Sequence, residues 1–401
     1  SGDTVIVNAD GTVSVIAGSS NTLGAEASID ASSGDTNIAL AYDTANAKIV
    51  AIYRDNGNSG YGTALVGTVS GTSISFGTAV VFESSSSIQP VVTYDSNAGK
   101  IVVSYYTSAG SNQGKSIVGT VSGTSISFGT PVNFGPYTDS VNYLTTCFDT
   151  NSNKVFVGFR QSGSGNRYSC VVGTVSGTSI SFGSVTVIDS NVVSNCRSTF
   201  DSVNNKVIVS WRDHNNSFYG ETAVGTISGT SISFGTTVVA ASYSAHYGDV
   251  GFDSTSGKVV YAVGNAGNNQ GNAYVGTVSG TSISWSSATL FNEGTPIYIE
   301  VNDDIASGKI VISFSETSVS YEGVLRSGTI TGTTLSLDSA TVFSSTALGF
   351  SEHSAAYDSG NGQLVFGYTL TAGTAKARTY SAFSTNLTAE NFIGFANGAA
   401  A

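Results

Sequence analysis

The 401-residue chain carries 15 Lys and Arg against 27 Asp and Glu, a formal charge of −12, with only 10% of its residues charged. So few cations cannot neutralise many phosphates, which argues against a nucleic-acid partner, and no apolar run nears the roughly 18 residues of a membrane span. A hydrophobic content of 40%, including 20 Phe and 19 Tyr, can bury a large core and excludes a disordered chain.

The first segment, residues 1–17, lacks the basic and apolar regions of an intact signal peptide. Within it NADGTVSVI (Asn8–Ile16) shares the phase of a phrase that dominates the chain downstream. VGTVSGTSISFGT at Val66–Thr78 returns at Val118–Thr130 and, with one change each, at Val172–Ser184 and Val224–Thr236; it drifts at Val275–Ser287 and Ser327–Ser339. An Asp, in most copies after an aromatic residue, is followed five residues later by Lys: Asp43/Lys48, Asp95/Lys100, Asp149/Lys154, Asp201/Lys206, Asp253/Lys258 and Asp304/Lys309. Asp358/Gln363 keeps the spacing without the Lys, and successive Asp positions lie 52, 54, 52, 52, 51 and 54 apart, so the chain holds seven repeats of about 52 residues.

The second repeat shows the predicted elements. Gln89–Tyr94 leads through DSNAGK to Ile101–Tyr106, and Ser116–Val121 leads through SGT to Ser125–Phe128. These runs are rich in Val, Ile, Tyr and Phe and bounded by Gly, Asn, Asp and Ser, which are strand and hairpin signals. The second and third runs are apolar nearly throughout, as in strands buried on both faces, while SISF alternates like an outer strand. No segment has a convincing helical period. Four antiparallel strands per repeat predict an all-β, seven-bladed β-propeller forming one domain over residues 1–401. The seventh repeat supplies Ser354–Tyr357, Leu364–Thr369 and Ala377–Phe383 but no SISF segment, so Thr12–Ile16 is expected to close the last blade. Residues 385–401 read as a C-terminal junction segment.

Cys147, Cys170 and Cys196 have neither CxxC nor metal-ligand spacing and read as buried free thiols, with a Cys147–Cys196 bridge as the alternative. The DSNAGK turns lack the DxDxDG spacing of a calcium loop. Hairpin chemistry accounts for them: Asp caps the turn, Asn or Gly takes positive φ, and Lys offsets the Asp. No cofactor or metal is expected.

One propeller face repeats nearly unchanged; the other varies. Its loops read RDNGNSGYG (Arg54–Gly62), RQSGSGNRY (Arg160–Tyr168) and RDHNNSFYG (Arg212–Gly220), with SYSAHYGD (Ser242–Asp249) among the connections. Variable loops on a rigid scaffold are where binding usually resides. The candidate ligand-binding residues are Arg54, Tyr61, Arg160, Arg167, Arg212, His214, Tyr219 and His246; Trp211 reads either as a rim residue or as core. Such side chains offer planar stacking and bidentate hydrogen bonds suited to a carbohydrate or another polar surface. Arg54, Arg160 and Arg212 share one repeat position and could converge on a carboxylate, as in sialidase-like propellers, but the S-x-D-x-G-x-T-W boxes of such enzymes are absent. Asp55, Asp213, Glu221, Asp249, Glu316 and Glu352 are available for glycoside hydrolysis, yet nothing in the sequence pairs them. No catalytic residue is assigned and no enzyme is expected.

The tandem VGTVSGTSISFG phrases, the YDxxxxK marker and the tail TNLTAENFIGFANGAAA (Thr385–Ala401) resemble repeat proteins of marine bacteriophages, including tail-fibre-like and other virion-associated products. The repeat match covers about residues 36–340. The resemblance implies an exposed propeller on a virion or cell surface that binds a host-surface glycan or receptor protein beside other virion proteins. Structural decoration of a capsid or tail is the alternative, and a secreted glycosidase-like enzyme the second alternative.

Overall fold

The structure is a computed structural model that describes residues 5–7, 13–15, 21–30, 36–108, 112–135, 140–349 and 353–382. It is an all-β propeller. Among the described residues helix is limited to two 3₁₀ turns, Asn56–Asn58 and Thr317–Val319, and no helix is long and apolar enough to cross a membrane.

The fourth repeat shows how the pattern becomes a sheet. Val193–Asp201, Lys206–Asp213, Tyr219–Ser228 and Ser231–Phe234 pair antiparallel in that order, from the centre outward. The outer edge continues after Gly235 as a short strand, Val238–Ala241, beside the same third strand. Lys206–Asp213 is buried at five consecutive positions, Val207 to Trp211, because it packs against a neighbouring sheet on each face. The core accordingly lies between sheets: Ile208 and Val224 meet Val259, Tyr261 and Tyr274 of the next repeat. Each such side chain contributes about 1.5–3 kcal/mol by leaving water.

The expectation of seven separate four-stranded blades is overturned. Five blades stand as separate sheets, built from the third to the seventh repeats, each with four strands and the outer strand in two pieces; four of them run in sequence order, and the seventh takes its outer strand from the N-terminal segment. The first two repeats instead share one nine-stranded sheet. The cause is the 16-residue strand Val80–Asp95, which pairs first with Tyr61–Ser70 and then with Lys100–Thr107. Its middle, ESSSSIQ, stays within the strand, where the third repeat breaks between Asp189 and Val193 and the fourth between Ala241 and Ala245.

The closing strand is also corrected. Val13–Val15 pairs with Val5–Val7 in a separate two-stranded sheet. Closure falls to Thr22–Leu23 and Ala27–Asp30, which pair with Ala375–Ser381 of the last repeat. Gly24 N donates to Thr379 O at 2.9 Å, as Gly77 N does to Val66 O, so NTLG stands where other repeats carry SISFG. Gln363 Nε2 donates to Gly71 O at 2.7 Å and Leu40 N to Ser354 Oγ at 3.1 Å, joining the last repeat to the first.

These contacts explain the repeated phrase. A Cβ on Gly77, Gly129, Gly183 or Gly235 would lie 1.8–2.0 Å from the carbonyl oxygen of Thr124, Thr178, Thr230 or Thr281 in the next repeat. Only glycine permits that approach. The turn Asp residues cap as expected; Asp201 Oδ1 accepts from Val203 N and Asn204 N. The lysines do something different: Lys48, Lys100 and Lys206 donate to Thr68, Thr120 and Thr226 of their own VGT phrases, each at 2.9 Å. All three cysteines are free and buried, and burial pushes the Cys147 thiol up to about 12.

Candidate functional site

Eleven residues after each turn Asp, at the end of the second strand, stand Arg54, Tyr106, Arg160, Arg212, Gly264, Ser315 and Thr369. Each of the three arginines pairs across with the residue that precedes a bulge in its inner strand: Thr36, Asn142 or Ser194. In every such bulge a residue takes left-handed backbone: Asn37, Gln89, Tyr143, Asn195, Tyr247 and Tyr298, at φ of 45–56°. Asn tolerates this conformation; tyrosine rarely adopts it. The bulge recurs with the repeat, and at three of its positions, around the mouth of the central channel, it holds a tyrosine in strained backbone.

The side chains there form an arc. Arg160 donates from Nε to Asn142 Oδ1 at 2.7 Å and from Nη1 to Val193 O at 3.3 Å, with its guanidinium 4.7 Å from the Tyr143 ring centre. Arg212 lies 4.5 Å over Phe218 and donates from Nη2 to Ser244 Oγ at 3.2 Å. His214 packs 5.0 Å from Phe218 and shares a 2.8 Å hydrogen bond with Ser194 Oγ. His246 meets Tyr247 edge-on at 6.0 Å, and Tyr247 contacts Tyr298 at 5.1 Å. Burial, reinforced by Arg212 and Arg160, holds His214 below the usual histidine range; burial and then Arg212 do the same to His246. Both imidazoles are thus biased toward the neutral form, and the positive charge of the arc rests chiefly on its arginines.

The structure brings Arg160, Arg212, His214 and His246 together, and Tyr106 lies within the fields of both Arg160 and Arg54. Arg167 is tied instead to Gln161 Oε1 at 3.0 Å. Tyr61 and Tyr219 pair with Asp55 and Asp213 at the bases of their loops and stand outside the stacked cluster. Trp211 is core, 1% exposed, edge-on to Tyr168 with Nε1 donating to Asp189 Oδ2. His353 is buried against Ser313 Oγ, and burial pushes it down to about 4. Tyr143, Phe218, Tyr247 and Tyr298 escaped sequence reasoning; the variation six residues before each turn Asp was the available signal for the tyrosines.

Below the mouth, the inner strands enclose a cavity of about 230 Å³. Its walls include, four residues before each turn Asp, Ala39, Val91, Thr145, Arg197, Asp249, Glu300 and Ser354. Three of these side chains cap the next strand's edge: Asp249 accepts from Val301 N at 2.8 Å, Glu300 from Ala355 N at 3.1 Å and Ser354 from Leu40 N at 3.1 Å. Arg197 lies 3.7 Å from Asp249.

A second feature pairs carboxylates that sequence reasoning left apart. Asp189, Asp213 and Glu221 each place an oxygen within 4.8 Å of the others, beside a cavity of about 690 Å³. Burial, followed among the raising causes by mutual repulsion, raises Asp189 and Glu221 above the usual carboxylate range. They are the residues that could hold a cation. Their placement already has an explanation, however: Asn191 Nδ2 and Asn215 N donate to Asp213, Asn191 N and Trp211 Nε1 to Asp189, and Asn216 Nδ2 to Glu221.

Neither a protein-family model nor a curated protein matches the sequence. Solved structures do match in fold. The BP39L lectin from Burkholderia pseudomallei is 11% identical with a TM-score of 0.58, covering 86% of this chain and 98% of the lectin. The periplasmic gluconolactonase of Pseudomonas aeruginosa is 10% identical at a TM-score of 0.55, covering 77% and 86%. A Dyadobacter fermentans protein of unknown function is 10% identical at 0.54, covering 91% and 100%. At such identities the shared property is the fold: this chain is a β-propeller, similar in architecture to a lectin and to an enzyme alike.

Proposed function

We propose that the propeller binds a cell-surface saccharide at the mouth of its channel, on the face of variable loops, without turning it over. The observation that carries this reading is the stacked arc of Arg160, Tyr143, Arg212, Phe218 and His214, fixed by hydrogen bonds and aromatic contacts around an open rim. Sugar rings offer hydroxyl edges for such donors and C–H faces for such rings. The lectin among the similar structures supports the reading, and the resemblance of the repeats to virion-associated proteins supplies its setting, attachment of a particle to its host. Single contacts on a shallow rim are weak, and several copies on one surface would supply avidity.

A glycan array probed with the whole chain tests this, alongside the double variant Arg212→Ala/His214→Ala. The expected result is binding to a defined set of saccharides that the variant loses with its melting temperature unchanged. Equal binding by the variant, or none by either protein, removes the assignment. A second reading, hydrolysis, rests on the three adjacent carboxylates and the raised Glu221. Release of reducing sugar from array-positive glycans, abolished by Glu221→Gln, would favour it.

A further inference from the structure

We infer that the saccharide held at the mouth is anionic, its acidic group gripped by Arg160 and Arg212; this rests on the saccharide reading above and adds the charge of the ligand. The chain as a whole is acidic, yet three of its seven arginines occupy a single repeat position, and two of them, Arg160 and Arg212, stand on the arc. Arginines in an acidic protein ordinarily find carboxylates. Arg160 and Arg212 have none among the described residues: their partners are an amide oxygen, a backbone carbonyl and a hydroxyl.

Neutral acceptors orient a guanidinium without cancelling its charge. Stacking on Tyr143 and Phe218 fixes the plane of each fork, so the remaining donors are pre-arranged rather than free to sweep. A guanidinium has five N–H donors. Arg160 uses Nε and Nη1, Arg212 uses Nη2, and the buried Nε of Arg212 has no partner. Two oriented cations with unused donors match a carboxylate, which is planar, or a sulfate ester, whose tetrahedral head presents pairs of oxygens to a fork. The histidines beside them, pushed toward the neutral form by burial and by the arginines, add donors or acceptors and leave the charge to the arginines. The channel carboxylates Asp249 and Glu300 are engaged by backbone N–H groups. Across the rim the equivalent positions are Gly264, Ser315 and Thr369, which leave room for the body of a sugar.

Calorimetric titration with three probes tests the inference: a galacturonic acid hexamer, a sulfated carrageenan hexamer and neutral cellohexaose. An acidic probe should bind, its affinity falling about tenfold or more between 50 and 500 mM NaCl as charge is screened. Whether carboxylate or sulfate binds tighter identifies the acidic group. Arg160→Gln/Arg212→Gln should reduce that affinity at least about tenfold, since charged hydrogen bonds contribute about 1.5–3 kcal/mol each. Arg160→Lys/Arg212→Lys should restore only part of it, because charge returns without the fork; Arg326→Gln should change nothing. The salt dependence of the unaltered protein reads the same point should a variant fold poorly. Salt-insensitive binding, or cellohexaose binding as tightly as either acid, overturns the anionic ligand and leaves the saccharide reading in place. No binding by any saccharide on the array overturns both.

Discussion

Asp303 shows how one departure from the repeat changes the chemistry of its site. The residue before the turn Asp is Tyr42, Tyr94, Phe148, Phe200, Phe252 or Tyr357 elsewhere, and only in the sixth repeat is it a second acid. Burial first, then Asp253 and Asp304, raise Asp303 to about 6 against the help of Ser254 N, which donates to it at 3.1 Å. A carboxyl raised on folding favours the folded state when protonated, so its ionisation costs stability as pH rises above the unfolded value near 4 and through 6. Asp303→Asn should therefore stabilise the protein by about 2 kcal/mol at pH 8, with the gain shrinking through pH 6 and gone near pH 4. Melting curves of both proteins between pH 4 and 8 check this; a gain independent of pH would assign it to packing instead. At the same scale, the arginines and histidines of the rim were legible because loop residues differ visibly between near-identical copies. Tyr143 and Tyr298 were hidden because they match Gln89, the first residue of a predicted strand, and Tyr247 because nothing in the SYSAHYGD connection announces a left-handed bulge.

Strands read well where the repeat phrase survives and poorly where it erodes. SISF alternates, is followed by glycine, and forms the outer strand wherever it occurs. The closing strand has lost that signature: Thr22 and Leu23 replace the Ser–Phe end, and only Gly24 remains. The Val-Ser-Val run of residues 13–15 is the better match in pattern, but it pairs with its own neighbour. What identifies the true closing element is backbone proximity, which composition does not encode. A Cβ on Gly24 would sit 2.1 Å from Thr72 O and 2.3 Å from Thr379 Oγ1. Gly24→Val should cost about 2–3 kcal/mol by forcing that contact apart, whereas Ala25→Val, at an exposed position, should be neutral. Denaturant midpoints measure both; a neutral Gly24→Val would mean that residues 21–30 do not hold the ends together. The continuous strand Val80–Asp95 was hidden for a related reason, since four serines in a row read as a connection and not as paired backbone.

At the scale of the whole molecule, the repeat spacing made the propeller legible, while the grouping of strands into sheets was not. Neighbouring repeats dock through the same glycine-to-turn approach, Gly77 on Thr124, Gly129 on Thr178, Gly183 on Thr230 and Gly235 on Thr281. Such uniform docking makes the surfaces interchangeable. An outer edge has no chemical means of telling its proper neighbour from the one after it, or from the same turn on a second chain. Correct order is then kept by short connections within one chain, and that protection weakens as chains crowd together. Refolding from denaturant should accordingly give monomer at low concentration and exchanged oligomers as protein concentration rises, in a dilution series followed by size exclusion. Altering the VSGTSISFG phrases of the third and fourth repeats so that each matches only its own neighbour should restore monomer at high concentration. Unchanged yields across the series would show that the repeats find their places independently of their likeness. A ring built from near-copies thus places its greatest vulnerability in assembly, at the moment when a stranger's edge fits as well as its own.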